Sequence, residues 1–493
     1  MRTKYWRIGL AGVLLFLLAV WRIQAAGNGI TIRSLPGSDP PVTILAPSDP
    51  PGASRPTILV GHGFAGSAVV MRGFGLELAH AGYQVVLWDF SGHGKNTNPM
   101  PQGERSNSLL VDAEAVLEQV RASGAVAVDQ VAILGHSMGS GVALEFGMQK
   151  PETSATIAVS PVPRQVSPQL PRNLLLLAGE GEPRFLATAE DLLDQAGGSG
   201  GDPASGDARS LISIPIVEHV SILFSPVAHQ AATDWLDAAF GRQAGARAYT
   251  DRRIEWYLLG IVGALLVSYS VARLMGTAQD QLPADAKQRP FWRRLGGLSL
   301  GVVLASLATW GAAAVGLQLN TAMNLVVGGF LLIWFGIAGL IALWLTGADI
   351  SRPGWWEWLG ALAAFAALWL GVGLLGQMVW LEWMLIPARL WLWLPGSLLL
   401  LPWFLAVGRA SEGGSALAKG GWWVAHSGLL VGGLLLAVRL NPELGFLFLI
   451  LPLLPAVLGL HALASYPYRG SWPFALSGAL FLTWIILAIF PLV

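Results

Sequence analysis

The stretch Val131–Leu144, "VAILGHSMGSGVAL", sets Ser137 between Gly135 and Gly139 at the point where two patterns meet. Before the serine, Val131-Ala132-Ile133-Leu134 is a continuous apolar run of the kind that fills a strand buried on both faces. After it, small residues lead to Val142, Leu144 and Phe146, which can lie on a helix. A polar hydroxyl therefore stands at a sharp strand-to-helix turn. A serine held at a strained backbone angle there tolerates no bulky neighbours two residues away, which accounts for both glycines.

Working outward, further apolar runs lie at 57–60, 84–90, 130–135, 155–160, 173–179 and 210–218. Most are unbroken, which implies burial on both faces and a parallel sheet. Helical patterns separate them. In Ser108–Ala122, for example, Leu110, Ala113, Val116, Leu117 and Val120 share one face. Alternation of this kind predicts an α/β domain: a mostly parallel sheet with helices on both faces and right-handed crossovers.

In that frame Gly-x-Ser-x-Gly is the pattern of a nucleophile elbow. "ILVGHGFAGS" ends the first of these runs with His62-Gly63, and a loop there can offer a backbone N–H to a developing oxyanion, with the Met138 N–H as a second donor. A base must take the serine proton, and His219 in "IVEHVSILFSP" follows the run at 210–218. An acid must orient that imidazole, and "LLLLAGEGEPRF" places Glu180 and Glu182 after the preceding strand. Serine, acid, histidine is the chain order of this fold and not of trypsin-type folds.

The motifs "GHGFAG", "WDFSGHGKN", "GHSMGSG", "LLLLAGEGEP" and "EHVSILFSP" give residues 40–240 a resemblance to the α/β-hydrolases of the esterase and lipase superfamily. The resemblance implies Ser137 as nucleophile, His219 as general base and then acid, and the Phe64 and Met138 backbones as oxyanion donors. Family members usually carry aspartate where this chain has Glu182, so Glu180, Asp191 and Asp194 remain alternatives for the acid. His62, Gly63 and His136 are pocket candidates: His62 is expected to orient the oxyanion loop and His136 to pack beside the nucleophile. His93, in a turn that is structural in similar proteins, is not expected to act. His80 and His229 read as surface or helix positions. The gap between the runs at 155–160 and 173–179 holds only "PVPRQVSPQLPR", too short for a large cap, which predicts an open site.

The composition demands a second environment. The 493 residues carry a formal net charge of +0, with 54% hydrophobic and only 12% charged residues, against about 25% charged in a soluble domain. Neutrality excludes the basic footprint of a nucleic-acid binder. The absence of cysteine excludes disulfides and thiolate metal sites, and no histidine pair has ligand spacing, so no metal or other cofactor is expected.

The apolar excess collects at 254–272, 295–316, 323–346, 357–377, 388–407, 421–438, 443–462 and 472–492, eight candidate spans that predict an all-α transmembrane domain. Threaded from an external α/β domain, their cytoplasmic loops hold Arg273, Lys287, Arg289, Arg293, Arg294, Arg352, Arg409, Lys419 and Arg469. The external loops hold little beyond Arg389 and Arg439, which agrees with the positive-inside rule, although Arg252 and Arg253 oppose it. Glu382, Arg389 and Arg439 are the ionisable groups nearest to lipid. The segment "MRTKYWRIGLAGVLLFLLAVWRIQAAGN" reads either as a signal peptide or as an uncleaved anchor.

The expected organisation is thus 1–27 signal peptide or N-terminal membrane anchor, 28–250 α/β-hydrolase domain and 251–493 multi-pass membrane domain, with the hydrolase domain outside the cell membrane. The expected activity is cleavage of an acyl ester, lipid or otherwise amphiphilic, through an acyl-enzyme. The same residues would serve an acyltransferase, a thioesterase or a peptidase. A transporter or receptor with a hydrolase-like sensing domain is the reading from a different class. The oligomeric state is not legible.

Overall fold

The computed structural model describes residues 2–48, 55–101, 105–276, 290–347, 350–413 and 415–493. Lys287 and Arg289, used above for topology, lie outside the described residues. The chain forms two units. One comprises Trp21–Trp256 together with Gln377–Met384 and Ile489–Val493; the other comprises Met1–Val20, Tyr257–Gly376 and Leu385–Ala488.

The first unit is α/β. Its eight strands are β1 (Ile30–Ser34), β2 (Val42–Pro47), β3 (Thr57–Gly61), β4 (Gln84–Trp88), β5 (Val131–His136), β6 (Ala155–Val159), β7 (Leu174–Gly179) and β8 (Arg209–Ile214). They lie in the order β1-β2-β4-β3-β5-β6-β7-β8. The β1/β2 and β2/β4 pairs are antiparallel and all others are parallel. Every residue of β3, β5, β6 and β7 is buried, as unbroken apolar runs require.

Helices α2 (Arg72–His80) through α6 (Pro226–Phe240) cover both faces; α1 is Arg2–Ala25. The period of two decides which side each residue serves. Ile58, Val60, Leu134 and Leu177 share a core with α2 and α6, whereas Leu59, Ile133 and Val86 pack with α3 (Arg105–Ser123) and α4 (Met138–Gln149). α5, Pro183–Gln195, buries Ala189 and Leu192 against Leu174, Leu176 and Ala178.

Two strands were not legible. β1 lies at the sheet edge with four of its five residues exposed, so it shows no apolar run. β2 is embedded in "SLPGSDPPVTILAPSDPPG", whose prolines and glycines read as loop. β8 stops at Ile214, because Pro215 has no N–H to continue the ladder.

The second unit is helical. Together with α1, the described residues contain nine helices long and apolar enough to cross a membrane, from Arg2–Ala25 to Trp472–Ile489. Eight of them overlap the eight runs counted in the sequence. Small residues let these helices approach closely: a Cβ on Gly339 would stand 2.2 Å from Trp403 N. Glu382 and Arg389 part company here. Arg389 is buried in the helical unit and donates to the Leu487 carbonyl, whereas Glu382 belongs to the α/β unit.

Candidate active site

Ser137 sits between β5 and α4 with φ 52° and ψ −116°, a left-handed conformation that non-glycine residues rarely adopt. The two glycines of the motif are there for closeness. A Cβ on Gly135 would come within 2.0 Å of Gly139 O, and one on Gly139 within 2.6 Å of His62 O. No larger residue fits either position, so the turn and the loop after β3 lock together.

The carboxyl ends of β5, β7 and β8 bring three distant side chains into one row. His219 Nε2 lies 3.0 Å from Ser137 Oγ, and His219 Nδ1 lies 2.8 Å from Glu182 Oε2. With Nδ1–H donating to the carboxylate, Nε2 is left unprotonated and able to accept a proton from the Ser137 hydroxyl. All three groups are buried. Glu180, Asp191 and Asp194 are exposed, and only Glu182 meets the imidazole.

Three partners were missed in the sequence. Ser160, just after β6 with φ 47°, donates from Oγ to Glu182 Oε1 at 2.7 Å, and the Gly179 N–H donates to the same oxygen at 2.7 Å. The carboxylate is thus held on one oxygen while the other faces His219. Phe185, on the first turn of α5, stacks on the His219 ring at 4.1 Å and 24°. The cap loop is indeed short, but this ring shields the imidazole. A strand-end serine and a helical phenylalanine carry no signal that distinguishes them from core residues.

The predicted pocket residues take positioning places. His62 Nδ1–H donates to Gly63 O at 2.8 Å and Nε2 accepts from the Phe90 N–H at 3.1 Å, which fixes a neutral ring bracing the loop after β3. Burial lowers its pKa to about 4. Gly63 lies against Ser137, since a Cβ there would be 3.2 Å from Ser137 Cβ. Phe64 follows, half-buried, its ring edge-on to His93 at 5.7 Å.

Met138 is the first residue of α4, where a helix has no internal acceptor for the backbone N–H. His136 Nε2–H donates to the His219 carbonyl at 3.0 Å, tying the His219 backbone to β5. Burial, and then the neighbouring His219, hold the His136 pKa well below its usual value.

The other histidines are structural. His93 Nδ1–H donates to Ser91 O within a turn that Asp89 and Asp112 clamp through backbone N–H groups. His80 and His229 lie on helices α2 and α6, the second of the two positions expected for them, and both are buried. His229 Nε2 bonds Leu223 O at 2.9 Å, and His80 Nε2 bonds Ala26 O at 3.0 Å while stacking on Tyr249. Their apolar partners lie far along the chain.

Comparison with known proteins agrees with this architecture. A family model described as serine aminopeptidase, S33, matches residues 52–194. A putative carbamate hydrolase, RutD, of Klebsiella pneumoniae strain 342 is 29% identical over 157 residues, which are 30% of this chain and 56% of that protein. An uncharacterized protein of Mycobacterium tuberculosis H37Rv is 30% identical over 155 residues, 30% of this chain and 53% of its own. The chain spans about half the length of the curated relatives it matches.

Among solved structures, a predicted CIB-like hydrolase of Thermoplasma acidophilum aligns at 18% identity and TM-score 0.33, over 42% of this chain and 97% of that one. A membrane phospholipase A aligns at 14% identity and TM-score 0.34, over 46% and 92%. Likeness at this level carries nothing about activity. The mostly parallel eight-stranded sheet with its flanking helices, matched by the family model over residues 52–194, gives this unit an α/β-hydrolase-type fold.

Proposed function

We propose that this protein is a membrane-tethered serine hydrolase that cleaves an acyl ester of an amphiphilic substrate. One observation carries the reading: the row Ser137–His219–Glu182, with hydrogen bonds of 3.0 and 2.8 Å. In the reaction Ser137 Oγ attacks the ester carbonyl while His219 Nε2 takes its proton. The Phe64 and Met138 N–H groups receive the oxyanion. The intermediate collapses, His219 returns the proton to the leaving alcohol, and an acyl-Ser137 remains. Water, activated by the same imidazole, then releases the acid and restores the serine. Glu182 keeps Nδ1 protonated and steadies the imidazolium throughout. The nine apolar helices support the tether.

Fluorophosphonate labelling of the full chain beside Ser137→Ala tests the nucleophile. We expect labelling of the wild type and its loss in the variant; labelling that survives the substitution would remove Ser137 from the role. The family model's description and the carbamate hydrolase relative favour one second reading, cleavage of an amide or carbamate bond by the same residues. Rates on acyl p-nitrophenyl esters against aminoacyl p-nitroanilides decide between them, and faster anilide turnover would displace the ester reading.

A further inference from the structure

A cavity of about 180 Å³ opens in the α/β unit, and none of its lining residues belongs to the Ser137 site. Four charged side chains line it: Arg72, Asp89, Lys95 and Glu382, whose formal charges sum to zero. Asp89 is satisfied, its Oδ1 accepting from the Ala68 N–H at 2.7 Å and its Oδ2 from the Lys95 N–H at 2.9 Å.

The other three are incompletely matched. Arg72 makes one hydrogen bond, from Nη1 to Gln377 O at 3.3 Å, and among the described residues no carboxylate stands within ion-pair distance of it. Glu382 is only 4% exposed; the Gln377 side chain stands beside its carboxylate, its Oε2 lies 3.6 Å from Lys95 Nζ, and its Oε1 has no well-formed hydrogen bond among the described residues. A charge withdrawn from solvent without a full complement of partners is costly, and this cavity wall carries one of each sign, Glu382 buried and Arg72 half-buried. Burial opposes charge on both: it lowers the Arg72 pKa and raises that of Glu382.

The lack has a definite complement. A purely anionic ligand would serve Arg72 and leave Glu382 Oε1 bare, and a purely cationic one would do the reverse. We propose that the cavity binds a small zwitterion, with its oxyanion on Arg72 and Lys95 and its ammonium on Glu382. On binding, Lys95 exchanges the distant Glu382 for the ligand's oxyanion, and every charge in the cavity is then paired. The volume is below the about 300–1,000 Å³ typical of drug-sized ligands, so the group held is small, of the size of phosphoethanolamine. Such a group comes either as a free molecule or as a lipid headgroup. Glu382 lies in sequence between two segments apolar enough to span a membrane, Trp355–Val379 and Pro387–Ser411.

The full chain in detergent, titrated calorimetrically with O-phosphoethanolamine, inorganic phosphate and ethanolamine, tests this. The zwitterion is expected to bind at least about tenfold more tightly than either half, since each half leaves one partly or fully desolvated charge unpaired. Glu382→Gln and Arg72→Gln should each weaken it about tenfold or more. Lys95→Gln, at a half-exposed side chain and so harmless to folding, should weaken it several-fold. Thermal melts identify any variant that fails to fold, and Lys95→Gln then decides.

Equal affinity for the three probes, or zwitterion binding indifferent to Lys95→Gln, would overturn the proposal. Competition by phosphatidylethanolamine nanodiscs assigns the site to a headgroup, and retained soluble binding without competition assigns it to a free molecule. Ser137→Ala should bind as the wild type does, so the fate of the hydrolase reading is read separately.

Discussion

The two units treat buried polar groups in opposite ways. In the α/β unit they converge: Ser137, His219, Glu182 and Ser160 form one chain of hydrogen bonds drawn from the ends of four strands. In the helical unit those that find partners do so in local sets. Trp403 Nε1 donates to His426 Nε2 at 2.9 Å, Trp334 Nε1 donates to Ser306 Oγ at 3.0 Å, and Ser268 Oγ donates to Ala464 O at 3.2 Å. Convergence lets the state of one group alter the next, as proton transfer requires. Local pairing holds one helix to another and leads nowhere. The difference teaches where to look for chemistry: in connected polar rows, and not simply wherever polar atoms are buried.

That contrast can be broken at several points. Glu182→Gln should cut kcat by about 10²–10⁴-fold, because an amide no longer holds the required imidazole tautomer. Glu180→Gln, at an exposed side chain, should stay within about twofold, since surface changes away from a site are nearly neutral. The reverse ranking in steady-state kinetics would reassign the acid.

Acid stability comes next. The folded pKa of His62, about 4, lies below the unfolded 6.5, so its contribution is complete above pH 6.5 and is lost as pH falls toward 4. The loss amounts to about 3 kcal/mol by linkage. Denaturant midpoints measured from pH 7 to pH 4 should fall less steeply in His62→Gln; an unchanged slope would contradict the neutral buried ring.

Ser160→Ala removes one of the two donors on Glu182 Oε1 and should lower kcat by about tenfold, the worth of a hydrogen bond to a charged group. KM should hardly move, which separates positioning from a general loss of fold. The smallest effect belongs to the helical unit. Trp403→Phe strips His426 of its donor and should cost about 1 kcal/mol of stability in detergent. Fluorophosphonate labelling of Ser137 should not change. A fall in labelling there would mean that the local sets are not as isolated as they look.

Residues whose role is carried by backbone geometry were legible. Ser137 announces itself because a strained turn needs Gly135 and Gly139, and His219 because it follows a recognisable strand. Glu182 stood among four acids until burial and one 2.8 Å contact separated it. Ser160, Phe185 and the tie from His136 to the His219 carbonyl were hidden, since nothing in their neighbours along the chain sets them apart. Strands β1 and β2 were hidden for the opposite reason, their turn-rich surroundings masking short antiparallel segments.

The sequence by itself determined the alternation of strand and helix, the elbow and the order of the apolar runs. These follow from periodicity and sterics acting over a few residues. Only tertiary structure decided which carboxylate meets His219 and which side chains hold it there. It alone placed Glu382, from between two apolar segments, beside Lys95 in the α/β unit. Such choices depend on angstrom-scale proximity between residues tens to hundreds of positions apart, and local pattern carries no record of that distance.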